Sequence, residues 1–164
     1  MKTKSNVDKM DQVAIDAFLK KNRVGVIGLN DGSSSYSIPL AYAYDNSVIY
    51  LTMGHVGRKA GYIDKNKNVC FTVYWIPEGF GSPGKMNWTS VVCDGVLEHL
   101  EEPEAITRAV LVLEKHMGMP EGSWDGLLAM TLKNPKTSNF WKIQITAAGG
   151  RTIENELVEF FEEG

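Results

Sequence analysis

From Met10 onward the apolar residues Met10, Val13, Ala14, Ala17 and Phe18 fall at the i, i+3, i+4, i+7, i+8 spacing of one helix face. Asp8 or Asp11 can cap that helix and Lys20-Lys21-Asn22 suits its end, so residues 1–22 read as an N-terminal helical segment. The period then changes to two. Arg23–Leu29 predicts a strand, Asn30-Asp31-Gly32-Ser33 a turn, and Ser35–Tyr44 a second strand. Its even positions are large (Tyr36, Ile38, Leu40, Tyr42, Tyr44) and its odd positions small (Ser35, Ser37, Pro39, Ala41, Ala43). Alternation sends the two sets to opposite faces. The small face suits either close packing against a helix or a flat shelf for a ligand. Pro39 cannot donate to a ladder and marks an edge or a bulge.

Asp45-Asn46 turns the chain into a third strand, Ser47–Met53, followed by a loop, Gly54–Gly57, and a short helix, Arg58–Lys65. Asn68–Trp75 predicts a fourth strand, Pro77–Asn87 a glycine-rich loop, and Trp88–Leu100 a long fifth strand bulged at Asp94-Gly95. Pro103 is placed to open a second long helix reaching about His116, with Ile106, Ala109, Val110 and Leu113 inward and Gly118 ending it. A short helix around Leu127-Leu128 and a last strand, Phe140–Ala147, follow. Residues 152–164 form an acidic tail or helix in which Ile153, Leu157 and Phe160-Phe161 make an apolar stripe. Six strands with hairpin-like links predict a mainly β (α+β) fold: one domain over residues 1–164, a six-stranded antiparallel barrel with peripheral helices. Strand and helix do not alternate as a doubly wound sheet requires.

Composition narrows the function classes. The 164 residues carry 17 basic and 20 acidic side chains, a net charge of −3, so no positive field draws a nucleic acid. Apolar runs such as Ala109–Leu113 fall far short of the roughly 20 residues of a membrane span. The start holds no apolar core of signal-peptide length, and Cys70 and Cys93 form no paired pattern, so a reducing cytoplasm is expected. His55, His99 and His116 are too scattered for ligand spacing, and no metal is expected. Gly79-Phe80-Gly81-Ser82-Pro83-Gly84 matches GxGxxG, but Pro83 and the strand after it deny the loop the helix a dinucleotide site needs.

Thr52-Met53-Gly54-His55-Val56-Gly57-Arg58-Lys59 is the segment richest in chemistry. A strand ends, two glycines release the backbone, and two cations stand where a helix begins. Free N–H groups at a helix start favour an anion, and Arg58 can place two donors on phosphate oxygens beside the point charge of Lys59. Thr52 and His55 can add donors. The alternative is a solvated helix start, although cations are disfavoured in a first helical turn. Trp88 and Trp141 open strands, where aromatics serve core packing, an interface or the edge of a planar ligand.

The order of these segments resembles the FMN-binding split barrels similar to pyridoxamine 5'-phosphate oxidase. The residues concerned are Arg23–Leu29, Ser37-Ile38-Pro39-Leu40-Ala41-Tyr42, Ile49-Tyr50-Leu51-Thr52 running into Gly57-Arg58-Lys59, Ile63 through Asn66 to Val69-Cys70-Phe71, and Trp88-Thr89-Ser90-Val91 with Gly95 and Leu97. The nearest branch is that of the nitroimidazole-resistance proteins. The resemblance implies a homodimeric split barrel holding FMN in each of two clefts between subunits, acting as an oxidoreductase on a small molecule. A flavin or haem carrier without turnover is the alternative. Arg58 and Lys59 would hold the FMN phosphate, with Thr52 or His55 assisting and Met53 among the contacts. The backbone of Ile38, Pro39 and Leu40 would lie along the isoalloxazine, Ser90 and Val91 would meet its polar edge, and Trp88 or Trp141 would come from the partner subunit. The chain lacks the oxidase's basic cluster before the long strand and its Arg-Leu-Pro ending, so vitamin B6 oxidation is not the expected reaction. The nitroimidazole branch often has a His where this chain has Thr52.

Overall fold

The structure is a computed structural model that describes residues 2–82 and 87–158. Its elements are β1 (Lys2–Lys9), α1 (Gln12–Lys21), β2 (Val24–Asn30), β3 (Ser35–Asp45), β4 (Val48–Thr52), α2 (Arg58–Lys65), β5 (Asn68–Trp75), β6 (Trp88–His99), α3 (Pro103–Met117), α4 (Asp125–Lys133) and β7 (Phe140–Val158). All pairings are antiparallel, in the order β1-β7-β4-β3-β2-β5-β6, and β7 also pairs with β6. Strands β2 to β7 therefore close into a ring of six, with β1 added along the far end of β7. Tyr42, Phe71, Ile27, Ile49, Leu51, Val73, Val91 and Ile143 fill the ring. A second cluster joins Ala43 and Tyr50 to Ile106, Ala109, Val110 and Leu113 of α3.

The period-two strands and the helix over Arg58–Lys65 stand where alternation puts them. Three features differ. The stripe of α1 is rotated: Ile15 and Leu19 are buried and Met10 and Phe18 flank them, while Val13 and Ala17 face solvent. Apolar residues lie on both sides of this helix, and the ring selects the Ile15–Leu19 side. Residues 2–9 are strand rather than the start of a helical segment. Finally, β7 does not stop at Ala147 but runs to Val158, so the tail from residue 152 begins as strand paired with β1, and Phe160-Phe161 lies outside the described residues. The expected bulge is present, but its extra residue is on the partner strand: Asp94 faces Ala147 and Gly95 faces Ile145, leaving Thr146 between them. A side chain at Gly95 would press within 2.5 Å of the Gln144 carbonyl, so the bulge needs glycine there.

The feature that positions the site is a gap in the ring. β4 pairs with β3 only from Tyr42 to Asp45, because β4 ends at Thr52 and the chain leaves the sheet. Over Ser35–Ala41, β3 is paired with β2 alone, and Pro39 sits in the middle of that open edge. Among the described residues no helix is long and apolar enough to cross a membrane.

Candidate functional site

The open edge of β3 has two unlike sides. Ser35, Ser37, Pro39 and Ala41 face outward and are exposed, a low shelf, whereas Ala43, two residues on, is buried under α3. The small-residue face is thus a helix seat at one end and an uncovered surface along the rest. On the other side Tyr36, Ile38 and Leu40 pack partly into the core.

Arg58 lies on the Tyr36 side. Its guanidinium carbon is 4.5 Å from the centre of the Tyr36 ring and 5.9 Å from that of Tyr62, and these two rings stack at 5.6 Å. Its Nη2 donates a long 3.5 Å bond to the Tyr62 hydroxyl. That bond, with the nearby ring of Tyr36, raises the guanidinium's affinity for its proton. The Tyr62 hydroxyl is 2.9 Å from Ser34 Oγ, and the Ser34 hydroxyl and then Arg58 draw the phenol below its ordinary value. Ser34 directly follows the turn the sequence marks as Asn30-Asp31-Gly32-Ser33, and it is held there by Asp31. Asp31 Oδ1 accepts from the Ser33 and Ser34 backbone N–H groups at 2.9 and 2.7 Å, which holds its carboxyl well below the usual carboxylate range. A chain of contacts thus runs from Asp31 to the flat face of Arg58.

Among the described residues neither Arg58 nor Lys59 has a carboxylate partner; the ion pairs involve Lys65, His99, Arg108 and Lys142. Lys59 Nζ donates to the Val56 carbonyl at 2.8 Å. No side chain caps α2, and its N-cap Gly57 has φ 88°, a left-handed conformation that suits glycine. Two cations without an acid partner among the described residues thus stand at an uncapped helix start, where free N–H groups and the dipole favour an anion.

The loop from Thr52 to Arg58 is stitched to the start of β7. Thr52 pairs with Phe140. Met53 N donates to the Asn139 carbonyl at 2.8 Å and its carbonyl accepts from Trp141 Nε1 at 2.9 Å. His55 Nε2 lies 2.6 Å from the Ser138 carbonyl, and His99 Nε2 lies 2.7 Å from the same atom. Both imidazoles pack on Trp141, with centroids at 5.3 and 4.7 Å.

The expected contact residues accordingly divide. Thr52 ends β4, His55 lies on the loop that follows, and Arg58 and Lys59 begin α2; of these, Arg58 is placed against β3, over the Tyr36 ring. Met53 and Trp141 are buried in their own barrel, so Met53 can offer little but its backbone, and Trp141, at 5% exposure with its N–H bonded, serves core packing here. The Val91 side chain is fully buried, Ser90 is half-buried and faces Tyr74, and Trp88 is exposed at the far end of β6. Sequence reading misses Tyr36, Tyr62, Ser34 and His99. Their roles arise from the register of β3 against α2 and from the pairing of His99 with Trp141, which no local pattern encodes. Among the described residues no three His, Cys, Asp or Glu side chains gather as metal ligands.

A six-stranded ring left open along one strand, with an anion-receptive helix start at the opening, defines a split barrel. The sequence profile of pyridoxamine 5'-phosphate oxidase matches residues 11–152, and the chain belongs to that family. Among solved structures, a candidate 5-nitroimidazole antibiotic resistance protein of Bacteroides thetaiotaomicron superposes with a TM-score of 0.73 at 20% identity, covering 94% of this chain and 91% of that one. An FAD-binding protein of Mesorhizobium loti gives 0.61 at 26% identity, over 89% and 97%. An FAD- and haem-binding protein of Mycobacterium smegmatis gives 0.70 at 12% identity, over 92% and 75%. A search of curated proteins finds no match.

Proposed function

We propose that this protein is an FMN-dependent oxidoreductase acting on a small molecule, working as a homodimer in a reducing cytoplasm. The observation that carries the reading is the Arg58–Lys59 pair at the uncapped start of α2, without an acid partner among the described residues, with the Arg58 guanidinium over the Tyr36 ring and bonded to the Tyr62 hydroxyl. Stacking fixes the plane of the guanidinium while its edge keeps donors for phosphate oxygens. The residues fit the group: one pair of cations suits a single terminal phosphate, and the open edge at Ile38, Pro39 and Leu40 offers unpaired backbone to a planar ring. The description of related proteins as flavin-binding agrees with this. Bound flavin supplies the electron chemistry; the chain binds, orients and shields it. Cys70 and Cys93, both free, accord with a reducing compartment.

Dimerisation is supported by the outer surface of β5 and β6, which leaves Tyr74, Trp88, Val92 and Val96 exposed along adjacent strands. An uncovered apolar face of this kind marks an interaction surface. A second copy placed there would complete a cleft that one barrel leaves open.

The test is the visible spectrum of freshly purified protein, followed by titration with FMN, FAD and riboflavin. A yellow protein that retains about one flavin per chain through gel filtration, and prefers FMN to riboflavin, is expected. No bound flavin after saturation defeats the proposal. Iron in the spectrum in place of flavin moves the protein to the carrier alternative.

A further inference from the structure

We propose that the hollow between Thr52 and α4 is the substrate pocket, and that it takes an uncharged, flat aromatic molecule carrying hydrogen-bonding groups. The inference rests on the flavin reading of the adjoining β3 edge. The hollow encloses about 380 Å³, within the range of small-molecule sites. It shares one residue, Thr52, with the candidate flavin contacts. Thr52, at the end of β4, forms its lip, and its inner wall is the Ser138–Phe140 segment that anchors Met53 and His55.

The lining states the ligand's chemistry. Trp124, Leu127, Met130 and Phe140 form an apolar wall, and Leu127 and Met130 remain 43% and 69% exposed. Methionine and leucine left open beside an aromatic floor are suited to a flat apolar face. The polar rim is selective. The hydroxyls of Thr131 and Thr137 donate to the carbonyls of Leu127 and Asn134, so they are already engaged. Thr52, Asn134 and Asn139 line the hollow with side chains that make no hydrogen bond to the described protein, leaving donors and acceptors for a ligand. None of the lining residues carries a formal charge. A charged ligand would lose water there without gaining an opposite charge, which disfavours it against a neutral one of the same shape.

The pocket is also preformed. Glu114, buried on α3, accepts from Gly122 N at 3.2 Å and from Trp124 N at 2.6 Å, which fixes the entry into α4, and Trp124 stands 6.4 Å from Phe140.

The experiment is calorimetric titration of the FMN-loaded and the flavin-free protein with 2-naphthamide and with 2-naphthoate, which share a shape but differ in charge. The amide is expected to bind at least about tenfold tighter than the carboxylate. Met130→Glu and, separately, Leu127→Glu should each weaken amide binding by about tenfold or more, while the FMN Kd and the urea midpoint stay unchanged. Equal binding of the two probes overturns the proposal, as does amide binding indifferent to both substitutions. Competition between the amide and FMN in the flavin-free protein also overturns it, because the hollow would then belong to the flavin cleft. Amide binding that follows these expectations in a protein unable to bind FMN supports the pocket and removes only the flavin reading.

Discussion

His55 and His99 meet edge to face, their ring centres 4.6 Å apart, and both direct Nε2 at the carbonyl of Ser138. A carbonyl only accepts, so both imidazoles carry their hydrogen on Nε2. His99 Nδ1 faces Glu101 Oε1 at 3.1 Å, and it can donate there only from a doubly protonated ring. One acceptor thus ties the loop bearing Arg58 and Lys59 to the ends of β6 and β7. Each of His55→Ala and His99→Ala is expected to cost on the order of 1 kcal/mol, the net worth of such a bond. The double variant should depart from the sum, because the groups share a partner. Urea unfolding of the four proteins measures this, and strict additivity would show that the two rings act independently.

Replacing Arg58 and Lys59 together with Ala is expected to weaken FMN binding by about 3 kcal/mol or more, since charge-assisted hydrogen bonds contribute roughly 1.5–3 kcal/mol each. Riboflavin, without the phosphate, should lose much less. Equal losses for both ligands would show that the pair acts on folding. Arg58→Lys should not restore affinity, because an ammonium cannot reproduce a planar fork held over Tyr36 and bonded to the Tyr62 hydroxyl.

Two groups give opposite limbs of the stability profile. The Asp31 carboxyl is depressed by the N–H groups of Ser33 and Ser34, so its contribution is present above about pH 4 and is lost as pH falls through its folded value. The gap in urea midpoint between wild type and Asp31→Asn should therefore hold from pH 7 to about pH 4 and shrink below it. Burial, with Asp94 beside it, pushes the Cys93 thiol up to about 11. Its contribution is complete below the unfolded value of roughly 8.5 and is lost as pH rises through the folded one. The gap between wild type and Cys93→Ala should narrow from about pH 9 to 11. A gap of constant width at either end would contradict the assignment concerned.

Light scattering at micromolar concentration should give twice the chain mass. Val92→Glu, which puts a charge on the exposed face of β6 without touching the core, should give monomers and weaken FMN binding. A monomeric wild type that still holds FMN would show that one barrel suffices.

The ring is legible in the sequence because a strand with one buried face writes its register as alternation, as Ser35–Tyr44 does in eleven-residue β3. β1 is not. Lys2-Thr3-Lys4-Ser5-Asn6-Val7-Asp8-Lys9 carries almost no apolar pattern, and it pairs with β7 beyond the ring, where no core demands one. The extension of β7 is hidden for the same reason. Arg58 and Lys59 stand out because cations at a helix start oppose the dipole, a local conflict that sequence alone displays. The platform under Arg58 does not stand out, since Tyr36 and Tyr62 come from separate elements and meet only when α2 settles on the sheet. Trp141 is the converse case. A tryptophan at a strand start suits an interface as well as a core, and only the pairing of β7 with both β4 and β6 decides for the core.

On the oxidoreductase reading, turnover would depend on access to the open edge. Ala41 is the last outward-facing shelf residue before β4 begins to pair with β3, and it stands opposite the side that carries Tyr36 and Arg58. Bulk at this point obstructs the exposed approach to a ring lying along Ile38, Pro39 and Leu40, while the phosphate contacts on α2 remain. Ala41→Trp is thus expected to keep measurable FMN affinity and to abolish bleaching of the bound flavin by NADH or NADPH, and its recovery with a quinone. A carrier has no such turnover to lose. Anaerobic stopped-flow traces with each nicotinamide separate the two cases. If neither donor bleaches the wild-type flavin faster than free FMN in solution, the oxidoreductase reading gives way to the carrier. If Ala41→Trp turns over at the wild-type rate, the shelf is not the face by which substrate approaches.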